Sequence, residues 1–505
     1  MPSLLPESGS PSIRALPGLP SARSLGAADA CLLLLPVGDA PPSGLPSAGR
    51  WTALHQRDKA HPGDVRVTAL GGARDTAAVL GYCKADATPF ELLTVAGKLA
   101  QQALALRPAA RRIAVLAPGK DCEQRLEALY AAVAAHGFHL PSAKSRKPKD
   151  PPPHRVAEVE VYGVAQVDAT RWRATAEGTN LVRHLTALPP NTLDAAGYRR
   201  ALARLARRHG LRLRWYGEAA LKRLGAGAFL AVSRGNASRD AGIAHLSYAP
   251  RSRPAARNKT ARPDVTLVGK GILFDTGGTN LKPHRSMLDM HTDMAGSAVA
   301  LASLVALSTM KSRLAADAWL AITENSIGPK AYRPQEIIRA ANGTTIQVIH
   351  SDAEGRMALA DTLHLAAQAK PKLMVDFATL TGACVYALTE RMSGAFTNRE
   401  SLAAALNAAG RDSGERVWHF PLPDDFDGDI ESTVADIAQC AVEGKGDHIH
   451  AARFLKRFVP DGTPWVHIDL SSATRRGGLA HVPTEITGFG VRFTLSLLLD
   501  QERHA

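Results

Sequence analysis

The sequence predicts an α/β protein of two units, and three observations carry that prediction. Short apolar strands such as Arg112–Ala117 (RIAVLA) alternate with alanine-rich helical stretches such as Leu92–Leu106, the pattern of helices packed on a sheet. The alternation resumes later in the chain. Strands at Val265–Val268, Ala318–Ile322 and Leu373–Phe377 and a small-residue helix at Met294–Ser308 predict a larger unit with a mixed, mostly parallel sheet flanked by helices. Between the two runs lies the basic segment Lys144–Arg155 (KSRKPKDPPPHR), whose consecutive prolines fit neither a helix nor a central strand and so mark a loop.

The elements follow in order. Residues 1–29 are proline-rich with no continuous apolar run, so they are expected to be a flexible tail and not a secretory signal; the prolines also disfavour the amphipathic helix of an organelle transit peptide. The run Cys31–Val37 (CLLLLPV) reads as a buried strand, being far shorter than the roughly 20 residues of a membrane span. The first unit covers 30–168 and closes with the strand VAEVEVYGV. The second unit, 169–505, opens with a helix over Ala169–Leu188 stopped by Pro189-Pro190-Asn191. A basic amphipathic helix follows over Ala196–Gly210. No repeat period or heptad pattern is present.

Composition narrows the function classes. With 505 residues, 45% apolar and 21% charged, the chain can bury a large core, which excludes a disordered, collagen-like or disulfide-scaffold protein. The five cysteines are odd in number, widely spaced and without a C-x-x-C, which argues for a reducing cytoplasm and against a cysteine-rich zinc site. A net charge of +14 keeps an anionic partner such as nucleic acid in view. The basic stretch Arg199–Arg214 and the loops at Lys144–Arg155 and Arg251–Arg262 are read first as solvated faces. No H-E-x-x-H, G-x-S-x-G, Walker A or G-x-G-x-x-G occurs, which disfavours a zincin, an α/β-hydrolase and a dinucleotide enzyme.

Two segments concentrate chemistry. In Leu267–Ser297 (LVGKGILFDTGGTNLKPHRSMLDMHTDMAGS) a strand runs into paired glycines, with Lys270, Asp275, Lys282 and Asp293 close by. Paired glycines at a strand end suit a loop that brings backbone close to a ligand, and Asp293 stands at the start of a helix, where the dipole favours a carboxylate. In Val348–Ala360 (VIHSDAEGRMALA), Asp352, Glu354 and Arg356 are spaced two apart, which in an extended segment sends all three to one face. Converging carboxylates repel unless a cation lies between them. Asp275, Asp293, Asp352 and Glu354 together could hold two divalent ions; taken singly, each also fits a surface salt bridge.

At these segments the sequence resembles the leucyl aminopeptidase family of two-metal exopeptidases. VGKGILFDTGG with Lys282-Pro283 and SDAEGR (Ser351–Arg356) match its two signatures, and EGTNLVRHLTALPPNTL, ENSIGPKAYRP, ATLTGA and PWVHIDLSSA follow in family order from about Glu177 onward. The resemblance implies a macro-like N-terminal α/β domain ahead of the catalytic domain. It also implies an enzyme that hydrolyses the N-terminal residue, leucine-like preferred, from peptides with a free amino terminus. By this resemblance Asp275 and Glu354 bind both metals, Asp352 the first, and Asp293 with Lys270 the second. Lys282 would face the scissile carbonyl. Arg356 would hold a bicarbonate acting as base, and Met290, Thr379 and Gly382 would line the side-chain pocket. Manganese or zinc, a homohexamer and a cytoplasmic location are implied too. The chain departs from the pattern at His350-Ser351, at Thr276 and at Thr279-Asn280-Leu281, none of which is an implied ligand. The alternative is a nucleic-acid-binding accessory protein on the same fold. A two-metal phosphatase has only charge in its favour, and an inactive relative is at odds with the complete ligand set. Thr474–Gly478 is expected as a loop near the site or at a subunit contact, His448 and His450 as the start of a helix, and Cys384 as a small core residue.

Overall fold

The structure, a computed structural model, describes residues 2–7, 9–71, 74–120, 122–145, 155–250 and 262–500. Most of the Lys144–Arg155 segment and of the Arg251–Arg262 segment therefore lies outside the described residues.

Strands β1 (Ser12–Leu16), β2 (Ala30–Pro36), β3 (Val65–Ala69), β4 (Ala77–Cys83), β5 (Arg112–Leu116) and β6 (Glu158–Tyr162) form one sheet in the order β1-β6-β5-β2-β4-β3. Every neighbouring pair is parallel except β3 with β4. The central position of β2 explains its unbroken apolar run, since helices cover both faces of a parallel sheet. One of those helices, Pro89–Leu106, starts at a capping box in which Thr88 and Glu91 bond each other's backbone, with Pro89 at the first helical position.

The expectation of a flexible tail over 1–29 is corrected here. Ser12–Leu16 pairs with β6 along its whole length and closes that edge of the sheet, and Ala22–Ala27 is a helix capped by Ser21. The prolines of the segment flank β1 and do not interrupt it, while Arg14 pairs with Glu158 and Glu160 on the neighbouring strand.

The second unit contains β7 (Arg212–Gly217), β8 (Gly242–Tyr248), β9 (Val265–Asp275), β10 (Ala316–Asn325), β11 (Ile337–Arg339), β12 (Thr345–Gln347), β13 (Leu373–Ala378), β14 (Ser393–Thr397), β15 (Val417–His419), β16 (Ile437–Ala438) and β17 (Trp465–Asp469). The large sheet runs β15-β14-β17-β13-β9-β10-β8-β7, and β11-β12-β16 make a small separate one. The central strands β17, β13, β9 and β10 are mutually parallel, so their C-terminal ends meet along one edge. Antiparallel pairs at β14–β17, β10–β8 and β8–β7 make the sheet mixed.

Helices cover both faces. Leu267, Leu320 and Val375 pack with Val299, Leu301 and Leu304 of the helix Ala295–Thr309, and Leu181 and Leu185 of Ala169–Thr186 complete that layer. On the other face Val268, Ile272 and Trp319 pack with Met357, Leu359 and Leu363 of the helix Glu354–Ala367. The Ala295–Thr309 helix lies so close to the sheet that a Cβ on Gly296 would come within 2.1 Å of the Phe377 carbonyl oxygen, so only glycine fits. The helical run His284–Thr309 is long and apolar enough for a membrane span, but 83% of its apolar 18-residue window is buried inside the fold. The basic helix Ala195–His209 is capped by Asp194 and Gly210, and its arginines 199, 200, 204, 207 and 208 are exposed.

Candidate active site

Parallel α/β sheets gather ligands beyond the carboxyl ends of their strands, and the polar residues of this chain converge there. Asp275 is the last residue of β9 and Asn325 the last of β10. The chain then turns through Gly277, whose φ of +85° is disfavoured for residues with a side chain, and its N–H donates to Asp275 Oδ1 at 2.8 Å. Asn325 Nδ2 donates to the same oxygen at 2.8 Å and to the Ser351 carbonyl at 3.1 Å. The turn carries Lys282 back over the site, where its Nζ lies 2.9 Å from Asp275 Oδ2 and 2.5 Å from Asp352 Oδ1.

Lys270 projects from the middle of β9. Its Nζ donates to Asp293 Oδ1 at 2.8 Å and to the Thr379 carbonyl at 2.9 Å, and lies 3.0 Å from Glu354 Oε1. Asp275, Asp293 and Glu354 are all buried and offer carboxylate oxygens within 4.8 Å of one another. Four carboxylates face two ammonium groups in this cluster, so negative charge is in excess. Asp293 Oδ2 and Glu354 Oε2 are buried without a hydrogen-bond partner. A buried carboxylate oxygen without a donor is costly, and a divalent cation offers the compensation it lacks. Burial pushes the Asp293 carboxyl above the ordinary carboxylate range; Lys270 opposes the shift, and repulsion from Glu354 and Asp275 adds to it. Burial alone would lower Lys270 and Lys282, but the surrounding carboxylates raise both above the ordinary lysine range.

The residues singled out in the sequence line one cavity of about 320 Å³: Lys270, Asp275, Lys282, Met290, Asp293, Asp352, Glu354, Arg356, Thr379 and Gly382. Leu380, Val385, Glu390, Asp469 and Thr474 share the wall, which places the start of the Thr474–Gly478 loop at the site. A larger cleft of about 780 Å³, lined by Glu127, Arg171 and Arg492 among others, contains none of these groups.

The extended geometry expected for Asp352, Glu354 and Arg356 does not hold. Glu354 begins the helix Glu354–Ala367, where two residues advance the side chain by roughly 200° around the axis. Glu354 therefore meets Lys270, while the Arg356 Nη2 turns to Asp447, 2.8 Å from Oδ1 and 2.7 Å from Oδ2. The Arg356 Nη1 donates to the Gln439 carbonyl at 3.3 Å. His350 is exposed and accepts at Nδ1 from the Asp352 N–H. His448 and His450 stand in the first turn of the helix Asp447–Lys456, and Cys384 is buried beside the Ser471 hydroxyl.

Several residues of the quoted motifs have supporting roles that the sequence did not assign. Thr379, read as a pocket residue, also donates its hydroxyl to Asp293 Oδ1 at 2.7 Å. Ser351 Oγ donates to the Gly277 carbonyl at 2.6 Å and accepts from the Asn280 N–H at 2.7 Å, locking the Asp275 turn to the Asp352 turn. Asp469 accepts from the Leu380 N–H and the Thr381 hydroxyl, fixing the ATLTGA loop. Such contacts join residues far apart in the chain, so no local pattern announces them.

The family model for the cytosol aminopeptidase family, catalytic domain, matches residues 180–495. A probable cytosol aminopeptidase of Synechococcus sp. (strain CC9605) is 36% identical over 464 residues, covering 90% of this chain and 92% of the relative. One from Parasynechococcus marenigrum (strain WH8102) is 38% identical over 380 residues, covering 74% and 76%. Among solved structures, the bottromycin maturation enzyme BotP in complex with Mn matches with a TM-score of 0.79 at 29% identity, over 94% of this chain and 99% of that one.

Proposed function

The chain belongs to the cytosol aminopeptidase family and is an aminopeptidase, and from that premise we propose that it releases leucine-like N-terminal residues from peptides with the help of two divalent ions held at the cavity floor. The observation that carries this reading is the buried Asp275–Asp293–Glu354 cluster, with its unpartnered oxygens, beside Lys282. Asp275, Asp293, Asp352 and Glu354 would hold the ions, joined by Lys270 as a neutral amine once the charge of the ions displaces the proton that the carboxylates otherwise keep on it. Manganese or zinc suits such a donor set, and the similar BotP structure holds Mn. When bound, two such ions polarise a carbonyl and acidify water.

The chain's own groups do the rest. Lys282 stays cationic among carboxylates and is 15% exposed toward the cavity, so it can hold the oxyanion that develops on the scissile carbonyl. Met290, Leu380 and Val385 give the wall an apolar stretch suited to an aliphatic side chain, with Thr379 and Gly382 beside them. The acid-rich floor favours a free terminal amine over a blocked one. Thr379 and Asn325 orient Asp293 and Asp275. A homohexamer and a cytoplasmic location accompany the reading.

Parallel assays on leucine p-nitroanilide and its N-acetyl derivative test it. Hydrolysis of the free-amine substrate alone is expected. Equal rates on both would remove the exopeptidase reading.

A further inference from the structure

The family resemblance implies an external bicarbonate at Arg356, and the residues around Arg356 do not fit one. The guanidinium is 2% exposed, and both oxygens of the Asp447 carboxylate already sit on its Nη2. Nη1 gives one N–H to the Gln439 carbonyl, and of the three guanidinium nitrogens only the buried Nε has no partner at all. Asp447 opens the helix Asp447–Lys456, where the positive helix end steadies its charge. Asp469 lines the same cavity and already occupies the backbone donors of Leu380 and Thr381. A bicarbonate would have to displace Asp447 from Nη2 and then remain beside it, two like charges in contact.

We propose that Asp447 is the built-in counter-anion of Arg356, a positioning residue that takes the place of an external bicarbonate, so that this aminopeptidase works without one. The inference rests on the aminopeptidase reading of the cavity. Its structural logic is direct: Arg356 follows Glu354 by two residues in the first turn of one helix, so anchoring Arg356 on a second helix fixes the turn that aims Glu354 at Lys270. A carboxylate supplied by the chain is present at every bicarbonate concentration, which a dissolved anion is not.

The test uses the zinc-loaded full-length protein and inorganic bicarbonate. The kcat on leucine p-nitroanilide is measured in bicarbonate-free buffer and with bicarbonate added, and binding is followed by the line width of ¹³C-bicarbonate in NMR. The wild-type rate is expected to change by less than about twofold. Asp447→Ala is expected to lose rate without bicarbonate and to regain about tenfold in kcat, with KM little moved, when it is added. The same variant should broaden the ¹³C signal, and the broadening should vanish when Arg356→Gln is added. Asp447→Asn keeps the shape but not the charge and gives the same answer if the alanine variant fails to fold. A wild-type rate that rises about tenfold with bicarbonate, or an Asp447 variant that gains neither rate nor binding, would overturn the proposal. Absence of any wild-type peptidase activity would instead strike the functional reading, and the NMR arm would still report on Arg356.

Discussion

Lys270 and Glu354 lie 3.0 Å apart from Nζ to Oε1, on a strand and a helix that cover opposite sides of the same cavity floor. The other carboxylate oxygen of Glu354 is buried with no donor. The carboxylate is thus oriented on one side by the chain and left open on the other. Glu354→Gln replaces the open oxygen or its partner with an amide and removes one ligand charge. The expected outcome is loss of bound metal, read by elemental analysis, and a fall in kcat of about 10²-fold or more. Asp275→Asn should behave alike. Near-normal turnover in either variant would remove these residues from the ion-holding set.

Lys282 separates from that set by its exposure and its partners. It contacts Asp275 and Asp352 from the cavity side, 15% exposed, whereas Lys270 is 4% exposed beneath the cluster. Lys282→Ala is expected to lower kcat by about 10²–10³-fold, the loss typical of one oxyanion donor, with metal content unchanged. Loss of metal in this variant would transfer Lys282 to the ligands.

Gly355 packs directly against the Lys270 side chain. A Cβ there would come within 2.5 Å of Lys270 Cε and 2.7 Å of its Nζ. In an exposed helix Gly→Ala gains about 1 kcal/mol, but here the added methyl must push a buried ammonium away from Asp293. Gly355→Ala should therefore leave the helical circular dichroism intact and cost at least about tenfold in kcat. An unchanged kcat would show that the Lys270 position is not critical.

Glu415 gives a pH signature away from the catalytic groups. Its Oε2 accepts from the Gly490 and Phe493 N–H groups at the start of the helix Val491–Leu499, and burial pushes its carboxyl up to about 7, against Arg492 and the backbone donors. The folded chain holds this proton where the unfolded chain, with an ordinary carboxyl, has lost it. Stability from this group is full below the unfolded value near 4.5 and is lost as pH rises to about 7. The span is on the order of 3 kcal/mol. Glu415→Gln should flatten the fall of Tm across that window; parallel Tm profiles for both proteins would refute the assignment.

Much of the fold was legible because its signals are local. The strands at Val265 and Leu373 and the helix at Ala295 announce themselves by apolar runs and small residues, and the structure only lengthens β9 to Asp275 and β10 to Asn325. The edge strand Ser12–Leu16 was missed because five residues among prolines carry no period of their own; only β6, far along the chain, makes them a strand. The same distance effect governs the site. Lys270, Asp275 and Glu354 stand in dense motifs, whereas Asn325 and Asp447 gain meaning only from partners on other elements. Two departures from the family pattern, Asn280 and Ser351, turn out to bond each other, Ser351 N–H to Asn280 Oδ1 at 2.9 Å and Asn280 N–H to Ser351 Oγ at 2.7 Å. Neither could be understood alone.

The most direct measurement is hydrolysis of leucine p-nitroanilide by the purified protein as isolated, after stripping with a chelator, and after return of manganese or zinc. The buried, undercompensated carboxylate cluster predicts activity that disappears on stripping and returns with metal. Full activity in protein stripped of metal, or none with either metal across a panel of N-terminal residues, would contradict it.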